Sequence, residues 1–239
     1  MKKNIRLQPL LDMNRSAVLG YEALYTKGIE KEYPSAEQIL KSVASAFGFQ
    51  GNFQLFINMT VKDAIEKEFS RNFLQALYKL GIDGRRIVLE VSENTYPDMI
   101  PEVHQTLLEL RKHGVKIALD DFGSQYSVFD FIQKLPLDIV KIDKNIVQKS
   151  SSNSKESAIL KFYVDIFHDI GCQVVAEGIE TIEHLNCAHK AKVDIAQGFL
   201  FSAPSLNVTS GQSSPFICLS DFVVYASSIT AEHQSQANH

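Results

Sequence analysis

The 239-residue sequence has no tryptophan, only three cysteines and no long apolar run. Its cysteines, Cys172, Cys187 and Cys218, are odd in number and lack Cys-x-x-Cys spacing, which favours a reducing, cytoplasmic location. No apolar stretch approaches the roughly 20 residues that cross a bilayer, so we expect no membrane insertion. The 24 basic and 28 acidic residues leave no basic surplus, which argues against binding of a DNA or RNA duplex.

What the sequence does contain is a repeated alternation of short apolar runs and amphipathic segments. The runs are rich in β-branched residues, as strands buried on both faces are, and they are Val18–Leu24, Leu55–Ile57, Ile87–Leu89, Ile117–Leu119, Ile139–Val140 with Ile142, and Val174–Ala176. Helices are predicted at Thr60–Leu80, Met99–His113 and Lys155–Ile170, each followed by a glycine. The alternation predicts an α/β fold in which parallel βα units form a single barrel rather than two small domains.

The two ends of the chain carry weaker signals. We expect residues 1–230 to form the barrel domain, with a last helix at Leu219–Ile229. The polar residues 231–239 are expected to form a disordered tail.

Polar residues follow the apolar runs at the points where the predicted strands end. They are Asn58, Glu90, Asp120 with Asp121, Lys141 and Glu177, and Glu22 lies within the first run. In a βα barrel the carboxyl ends of all the strands meet on one face, which carries the chemistry. We therefore expect these side chains to converge.

The converging set is rich in carboxylates, which would repel one another unless a cation lay among them. Oxygen ligands without His or Cys select hard metals such as Mg²⁺ or Mn²⁺. A carboxylate shared by two ions about 3.5–4 Å apart is the arrangement that cleaves phosphodiesters. Asp120 or Asp121 can supply that bridge and Lys141 can orient a water, so the residues alone indicate metal-assisted phosphoryl chemistry.

Seven ordered motifs make the prediction more specific. They are Glu22-Ala23-Leu24, Ile57-Asn58, Leu89-Glu90-Val91-Ser92-Glu93, Asp120-Asp121-Phe122-Gly123, Val140-Lys141-Ile142-Asp143, Ala176-Glu177-Gly178-Ile179-Glu180 and Gln197-Gly198-Phe199-Leu200-Phe201. With them the stretch from Gln8 to Pro204 resembles the EAL-domain cyclic-di-GMP phosphodiesterases. The resemblance implies a modified TIM-like (β/α)₈ barrel that uses two Mg²⁺ or Mn²⁺ ions to hydrolyse the bacterial second messenger cyclic di-GMP to linear pGpG.

The resemblance also implies a role for each matching residue. The implied metal ligands are Glu22, Asn58, Glu90, Asp120 and Asp121. The implied catalytic residues are Lys141, which would contact the attacking water, Glu177 and Glu22, while Glu177 and Gln197 would support metal-bound waters. Glu93 would anchor the loop Asp121–Ser127, and the implied substrate contacts are Gln8, Leu24, Asp143 and Pro204.

Two kinds of protein partner are expected besides cyclic di-GMP. The resemblance implies a homodimer formed through the region after Asp121, where Tyr126, Val128 and Phe129 offer apolar side chains. We expect a stand-alone EAL domain with no sensory or cyclase domain before residue 1, which would take its regulation from a partner protein, from dimerisation or from expression.

Three positions depart from the family pattern and keep an alternative open. Thr26 stands where family members carry a phosphate-binding arginine, Gln125 replaces a glycine, and Ala203 replaces a basic residue. The segment between Glu22 and Asn58 is also shorter than usual. The alternative is a degenerate EAL domain that acts as a cyclic-di-GMP receptor or protein-binding adaptor without turnover.

A glycosidase also places two carboxylates at barrel strand ends, but the lack of tryptophan and the excess of acids argue against it.

Overall fold

The apolar runs that predict strands all form strands of one closed barrel. The structure is a computed structural model that describes residues 5–26, 33–49, 51–92, 100–123 and 129–202. In this part of the chain the barrel has eight strands in sequence order: β1 (Ile5–Asp12), β2 (Ala17–Tyr25), β3 (Gln54–Met59), β4 (Ile87–Ser92), β5 (Lys116–Phe122), β6 (Ile139–Ile142), β7 (Gln173–Ala176) and β8 (Ile195–Ala196). The predicted single-domain α/β barrel is confirmed.

Helices surround this barrel and cover its outer face. Those in the described ranges are α1 (Ala36–Phe47), α2 (Val61–Ile65), α3 (Phe69–Leu80), α4 (Ile100–Lys112), α5 (Phe129–Lys134), α6 (Lys144–Lys149), α7 (Ser154–Asp169) and α8 (Ile182–Ala191). Apolar residues of the strands' outer faces pack against them, as in β5, where Ile117 and Leu119 belong to the same buried cluster as Leu107 and Leu110 of α4. The helices thus hold the strands in place from outside.

The first strand is antiparallel to both of its neighbours, which makes the barrel a modified one. β1 pairs with β2 along its length but with β8 only at Leu11 and Asp12. The sequence did not indicate β1, because Pro9 lacks a backbone N–H and argues against a strand. Pro9 is tolerated here because β8 does not extend as far as its position.

Strand alternation fills the barrel interior in layers. A buried apolar layer inside the barrel consists of Leu10, Phe56, Val88, Ala118, Ile139, Val175 and Ile195. Successive side chains of a strand point to opposite faces, so the residue two positions further on also points inward. In β3 to β8 that next inward residue is polar: Asn58, Glu90, Asp120, Lys141, Glu177 and Gln197. In the reversed strand β1 it is Gln8, two positions before Leu10.

One predicted helix is wrong in its extent. Thr60–Leu80 was expected as a single helix, but it is divided into α2 and α3 at Glu66, whose backbone is extended (φ −70°, ψ 117°). The Ala64 carbonyl, near the end of α2, accepts a hydrogen bond of 2.8 Å from the Thr106 hydroxyl on α4. The break satisfies that carbonyl and lets Phe69 and Phe73 of α3 both lie in the core.

The predicted helix at Leu219–Ile229 and the predicted tail at residues 231–239 lie outside the described residues, so both stay predictions. Among the helices described, none is long and apolar enough to cross a bilayer.

Candidate active site

Lys141 lies at the centre of the polar layer, with carboxylates around it. Its Nζ is 2.7 Å from Glu90 Oε1, 2.8 Å from Asp120 Oδ1, 2.8 Å from Glu177 Oε1 and 3.5 Å from Glu22 Oε2. The Lys141 side chain is only 1% exposed. A buried ammonium is strongly unfavourable unless it is paired, so these contacts are what allow a lysine in the barrel interior.

Two side-chain amides bind the same carboxylates from either side. Asn58 Nδ2 donates to Glu90 Oε2 at 3.1 Å and lies 3.4 Å from Glu22 Oε1. Gln197 Nε2 donates to Glu22 Oε2 at 2.6 Å and to Gln8 Oε1 at 3.3 Å. Gln8 and Glu22 are also directly opposite each other in the β1–β2 ladder. The amides therefore fix the orientation of Glu22 and Glu90.

An extra residue in β5 brings two successive aspartates towards the site. Leu119 pairs with Val140 and Phe122 pairs with Ile142, so three steps along β5 match two along β6. Asp121 takes up the difference with a left-handed φ of 58°. A bulge of this kind redirects a side chain that regular alternation would point away. One carboxylate oxygen each of Asp120, Asp121 and Glu177 then lie within 4.8 Å of one another.

The electrostatics of the cluster shift three pKa values. Burial raises the pKa of Glu90 well above its usual range, and the nearby Glu22 adds to the rise. Burial also raises the pKa of Glu177, to about 7. Burial disfavours the charged form of Lys141, but the surrounding carboxylates, Asp120 first, outweigh burial and raise its pKa well above the usual value. Lys141 is therefore an ammonium at neutral pH.

The donor set fits a hard divalent cation. All the candidate ligand atoms are oxygens, the type that Mg²⁺, Mn²⁺ and Ca²⁺ prefer. Gln197 Oε1 is buried and has no hydrogen-bond donor among the described residues. Asn58 presents its amide nitrogen to the carboxylates. To act as a ligand, this amide must flip so that its oxygen faces the ion that the carboxylates would hold.

A cleft of about 270 Å³ opens onto the cluster at the carboxyl ends of the strands. Gln8 and Leu24 line this cleft together with Asp121 and Lys141, and the implied role of Gln8 and Leu24 as substrate contacts stays a prediction. Asp143 is different: it is buried, and its Oδ1 accepts the Asn145 amide at 2.8 Å, which caps α6. Its role as a substrate contact stays a prediction.

Several expected site residues lie outside the part of the chain that the structure describes. They are Glu93, Pro204, Gln125 and Ala203, together with Tyr126 and Val128 of the expected dimer patch. Their implied roles stay predictions. Thr26 is described, and it is exposed at the end of β2.

Sequence reasoning missed two aromatic residues on this face. Phe199 lines the cleft, and Tyr33 lies between β2 and α1. A signal for Tyr33 was available, because it comes just before the N-cap Ser35 of α1. Loops that lead from a strand into a helix lie on the carboxyl-end face of a βα barrel, so a residue just before such an N-cap belongs to that face.

The fold and the cluster define a TIM-like barrel protein with a carboxylate-rich site of the kind that binds divalent cations. The chain belongs to the EAL domain family, whose sequence model matches residues 35–204. The Glu22-Ala23-Leu24 motif precedes the matched range, and its place in the site comes from the structure.

Individual relatives agree with this assignment. PdeL of Escherichia coli (strain K12), named a cyclic di-GMP phosphodiesterase, is 33% identical over 153 residues, which are 64% of this chain but only 42% of PdeL. The crystal structure of the EAL domain of Mycobacterium smegmatis DcpA gives a TM-score of 0.75 at 28% identity, covering 84% of this chain and 90% of that one. A manganese and cyclic-di-GMP complex of Klebsiella pneumoniae BlrP1 gives a TM-score of 0.73 at 27% identity, covering 84% and 55%.

Proposed function

We propose that this chain hydrolyses cyclic di-GMP to linear pGpG with the help of two divalent cations, Mg²⁺ or Mn²⁺. The observation that carries the proposal is the convergence of Glu22, Glu90, Asp120 and Glu177 on Lys141 at the carboxyl ends of five separate strands or their loops. Membership of the EAL family supports the choice of substrate, since PdeL carries that activity in its name and BlrP1 has been solved with manganese and cyclic di-GMP.

Glu22, Asn58, Glu90 and Asp120 are the proposed ligands of one ion, and Asp120 with Asp121 those of the second. Bound divalent cations lower the pKa of a coordinated water and neutralise charge that develops on the phosphodiester. Gln197 holds Glu22 in a fixed orientation through its 2.6 Å hydrogen bond, which reduces the reorganisation that ion binding requires of this ligand.

Lys141 and Glu177 are proposed to act on the attacking water. Because its raised pKa keeps Lys141 protonated, it serves as a hydrogen-bond donor that orients the water, and it cannot serve as a base. Glu177 Oε1 is 2.8 Å from Lys141 Nζ, and its pKa of about 7 allows it to accept the water's proton near neutral pH. Water attacks phosphorus, the bond from phosphorus to the 3′ oxygen breaks, and the 3′ oxygen takes a proton from solvent and leaves as a hydroxyl.

Incubation of the purified chain with cyclic di-GMP and Mn²⁺ tests this function. We expect pGpG from the wild type, and a loss of at least 100-fold in rate for Lys141→Met and Glu22→Gln, because general acid–base and electrostatic contributions are typically on the order of 10²–10⁴. Lys67→Met is a matched control, because Lys67 is exposed on the loop between α2 and α3.

The result also separates hydrolysis from the receptor alternative. Binding of cyclic di-GMP without any pGpG would support a receptor and contradict the proposed activity. The complete carboxylate set with Lys141 favours the enzyme over that alternative.

A further inference from the structure

The loop that follows β7, residues 177–180, carries Glu177 and lies between α6 and the end of β8. On one side Gly178, with a left-handed φ of 67°, approaches α6 so closely that an added Cβ atom would collide with the Cβ of Lys144. On the other side an added Cβ at Gly198 would collide with the Ile179 carbonyl oxygen. Glycine at these two positions therefore lets the β7 loop pack against both neighbours through its backbone.

The peptide group between Gly178 and Ile179 is hydrogen-bonded on both of its edges. Its carbonyl oxygen, that of Gly178, accepts a hydrogen bond of 3.1 Å from the side-chain amide of Gln148 on α6. Its N–H, that of Ile179, donates to the Gln197 carbonyl at 3.0 Å. Because a peptide group is planar, these two bonds together fix its rotation.

Two side chains of the candidate site depend on this peptide group. Glu177 is the residue directly before it, and Glu177 Oε1 lies 2.8 Å from Lys141 Nζ. Gln197, whose carbonyl accepts the Ile179 N–H, donates from its side chain to Glu22 Oε2. Rotation of the peptide group would therefore move the proposed proton acceptor and disturb an amide that orients a proposed metal ligand.

Gln148 reaches this peptide group from outside the cleft. The described residues that line the cleft include Glu177 and Gly178, which belong to the loop, but not Gln148. The Gln148 amide can therefore affect the reaction only through the loop. A glutamine amide is a neutral donor, so it holds the carbonyl without adding a charge to the acid-rich site.

We propose that Gln148 is a positioning residue whose hydrogen bond to the Gly178 carbonyl fixes the β7 loop and so keeps Glu177 in place beside Lys141 and the attacking water. This inference rests on the proposed function and adds to it a residue outside the cleft. Since Gln148 does not line the cleft, loss of its hydrogen bond slows the chemical step and leaves substrate binding unchanged.

Steady-state hydrolysis of cyclic di-GMP by Gln148→Met at saturating Mn²⁺ tests the proposal. Methionine has nearly the same length and lacks the donor, so we expect kcat to fall about two- to tenfold, the range for one neutral hydrogen bond, with KM within about twofold. Ser151→Ala is the matched control, because the exposed Ser151 hydroxyl donates to the Gln148 carbonyl at 2.8 Å and its removal leaves the Gln148 side chain intact. We expect its kcat to equal that of the wild type.

Amide hydrogen exchange in the metal-free protein gives a readout that does not depend on activity. We expect the Ile179 amide of Gln148→Met to exchange about two- to tenfold faster than in the wild type, because the loop opens more readily. The Val174 amide in β7, which donates to Asp194 Oδ2 at 2.8 Å, should exchange at the wild-type rate. Equally faster exchange at both amides would indicate a general loss of stability and would overturn the proposal.

The remaining outcomes separate this inference from the proposed function. If the wild type forms pGpG, an unchanged kcat in Gln148→Met, or a higher KM at unchanged kcat, overturns the positioning role. If the wild type forms no pGpG, the hydrolytic activity is contradicted, and amide exchange then decides the role of Gln148. Faster exchange at Ile179 alone supports the hold on the loop, and an unchanged rate overturns it.

Discussion

At the scale of single residues, Lys141 and Glu177 respond to the same burial in opposite ways. Lys141 has four carboxylates within 3.5 Å, which keep it charged. For Glu177, burial outweighs the favourable contact with Lys141. Its pKa therefore rises to about 7. The site therefore contains a permanent cation beside a carboxyl group that titrates near neutral pH, a pairing suited to proton transfer.

The raised pKa of Glu177 predicts a pH dependence of stability in the presence of a chelator. A carboxyl group that holds its proton more tightly when folded stabilises the fold fully below about pH 4.5, and this contribution is lost as pH rises through about 7. We expect Glu177→Gln to lose less stability than the wild type between pH 5 and pH 8, by on the order of 1–3 kcal/mol.

Urea denaturation at both pH values measures this difference. Glu66→Gln is the control, because Glu66 is exposed, and its stability should follow the wild type. A parallel pH dependence in Glu177→Gln and the wild type would show that Glu177 does not titrate near neutral pH.

At the scale of elements, the end of β5 determines the shape of the candidate metal site. The extra residue at Asp121 directs two successive aspartates to one side, and Gly123 follows with a φ of 91°. A Cβ atom at Gly123 would collide with Cδ1 of Ile146 on α6. The turn after the bulge therefore depends on glycine for its backbone conformation, and a larger residue would also require the Ile146 side chain to move.

Gly123→Ala is expected to disturb the site as well as the fold. The left-handed φ alone costs about 1 kcal/mol, and relief of the collision must move either Ile146 or the end of β5. We expect urea denaturation to show a loss of about 1–2 kcal/mol, and Mn²⁺ binding to weaken several-fold because Asp120 and Asp121 shift.

Gly171→Ala separates the cost of the backbone conformation from the displacement of the two aspartates. Gly171 also has a positive φ, 83°, but an added Cβ there meets no atom within 4 Å. This control should lose similar stability and keep the Mn²⁺ affinity of the wild type. Equal Mn²⁺ binding by both variants would show that the β5 turn does not position the aspartates.

The sequence predicted the elements whose signals are local. Apolar β-branched runs located β2 to β7, and glycines marked the ends of α3, α4 and α7. The two-residue β8 is too short to show a pattern. The break at Glu66 depends on Thr106 of α4, which lies 42 residues from Ala64, and the bulge at Asp121 depends on the register with β6. Such features arise from pairing between distant segments, which local propensity does not contain.

At the scale of the whole molecule, barrel closure is what assembles the candidate site. Glu22 and Gln197 are 175 residues apart in sequence, and their side chains are 2.6 Å apart only because β1 joins β2 to β8. That joint is narrow, with two residue pairs between β1 and β8. The backbone of Met13 extends it by donating to the Asp194 carbonyl at 2.9 Å.

The same topology explains why the polar members of the site could be predicted without a structure. Parallel strands place their carboxyl ends together, so a polar residue after an apolar run is sufficient to assign Asn58, Glu90, Asp120 and Lys141 to one face. Tyr33 follows no strand directly and was missed, because its only signal is its place shortly before Ser35, the N-cap of α1.

Titration of Mn²⁺ into chelator-treated protein, with free Mn²⁺ followed by electron paramagnetic resonance, tests the central claim that this face binds divalent cations. The account predicts saturable binding by the wild type and by Asp169→Asn, whose side chain is exposed at the end of α7. Asp120→Asn, which alters the carboxylate proposed to contact both ions, should bind at least tenfold more weakly, a difference of about 1.4 kcal/mol. Equal Mn²⁺ affinity in Asp120→Asn and the wild type would contradict the account.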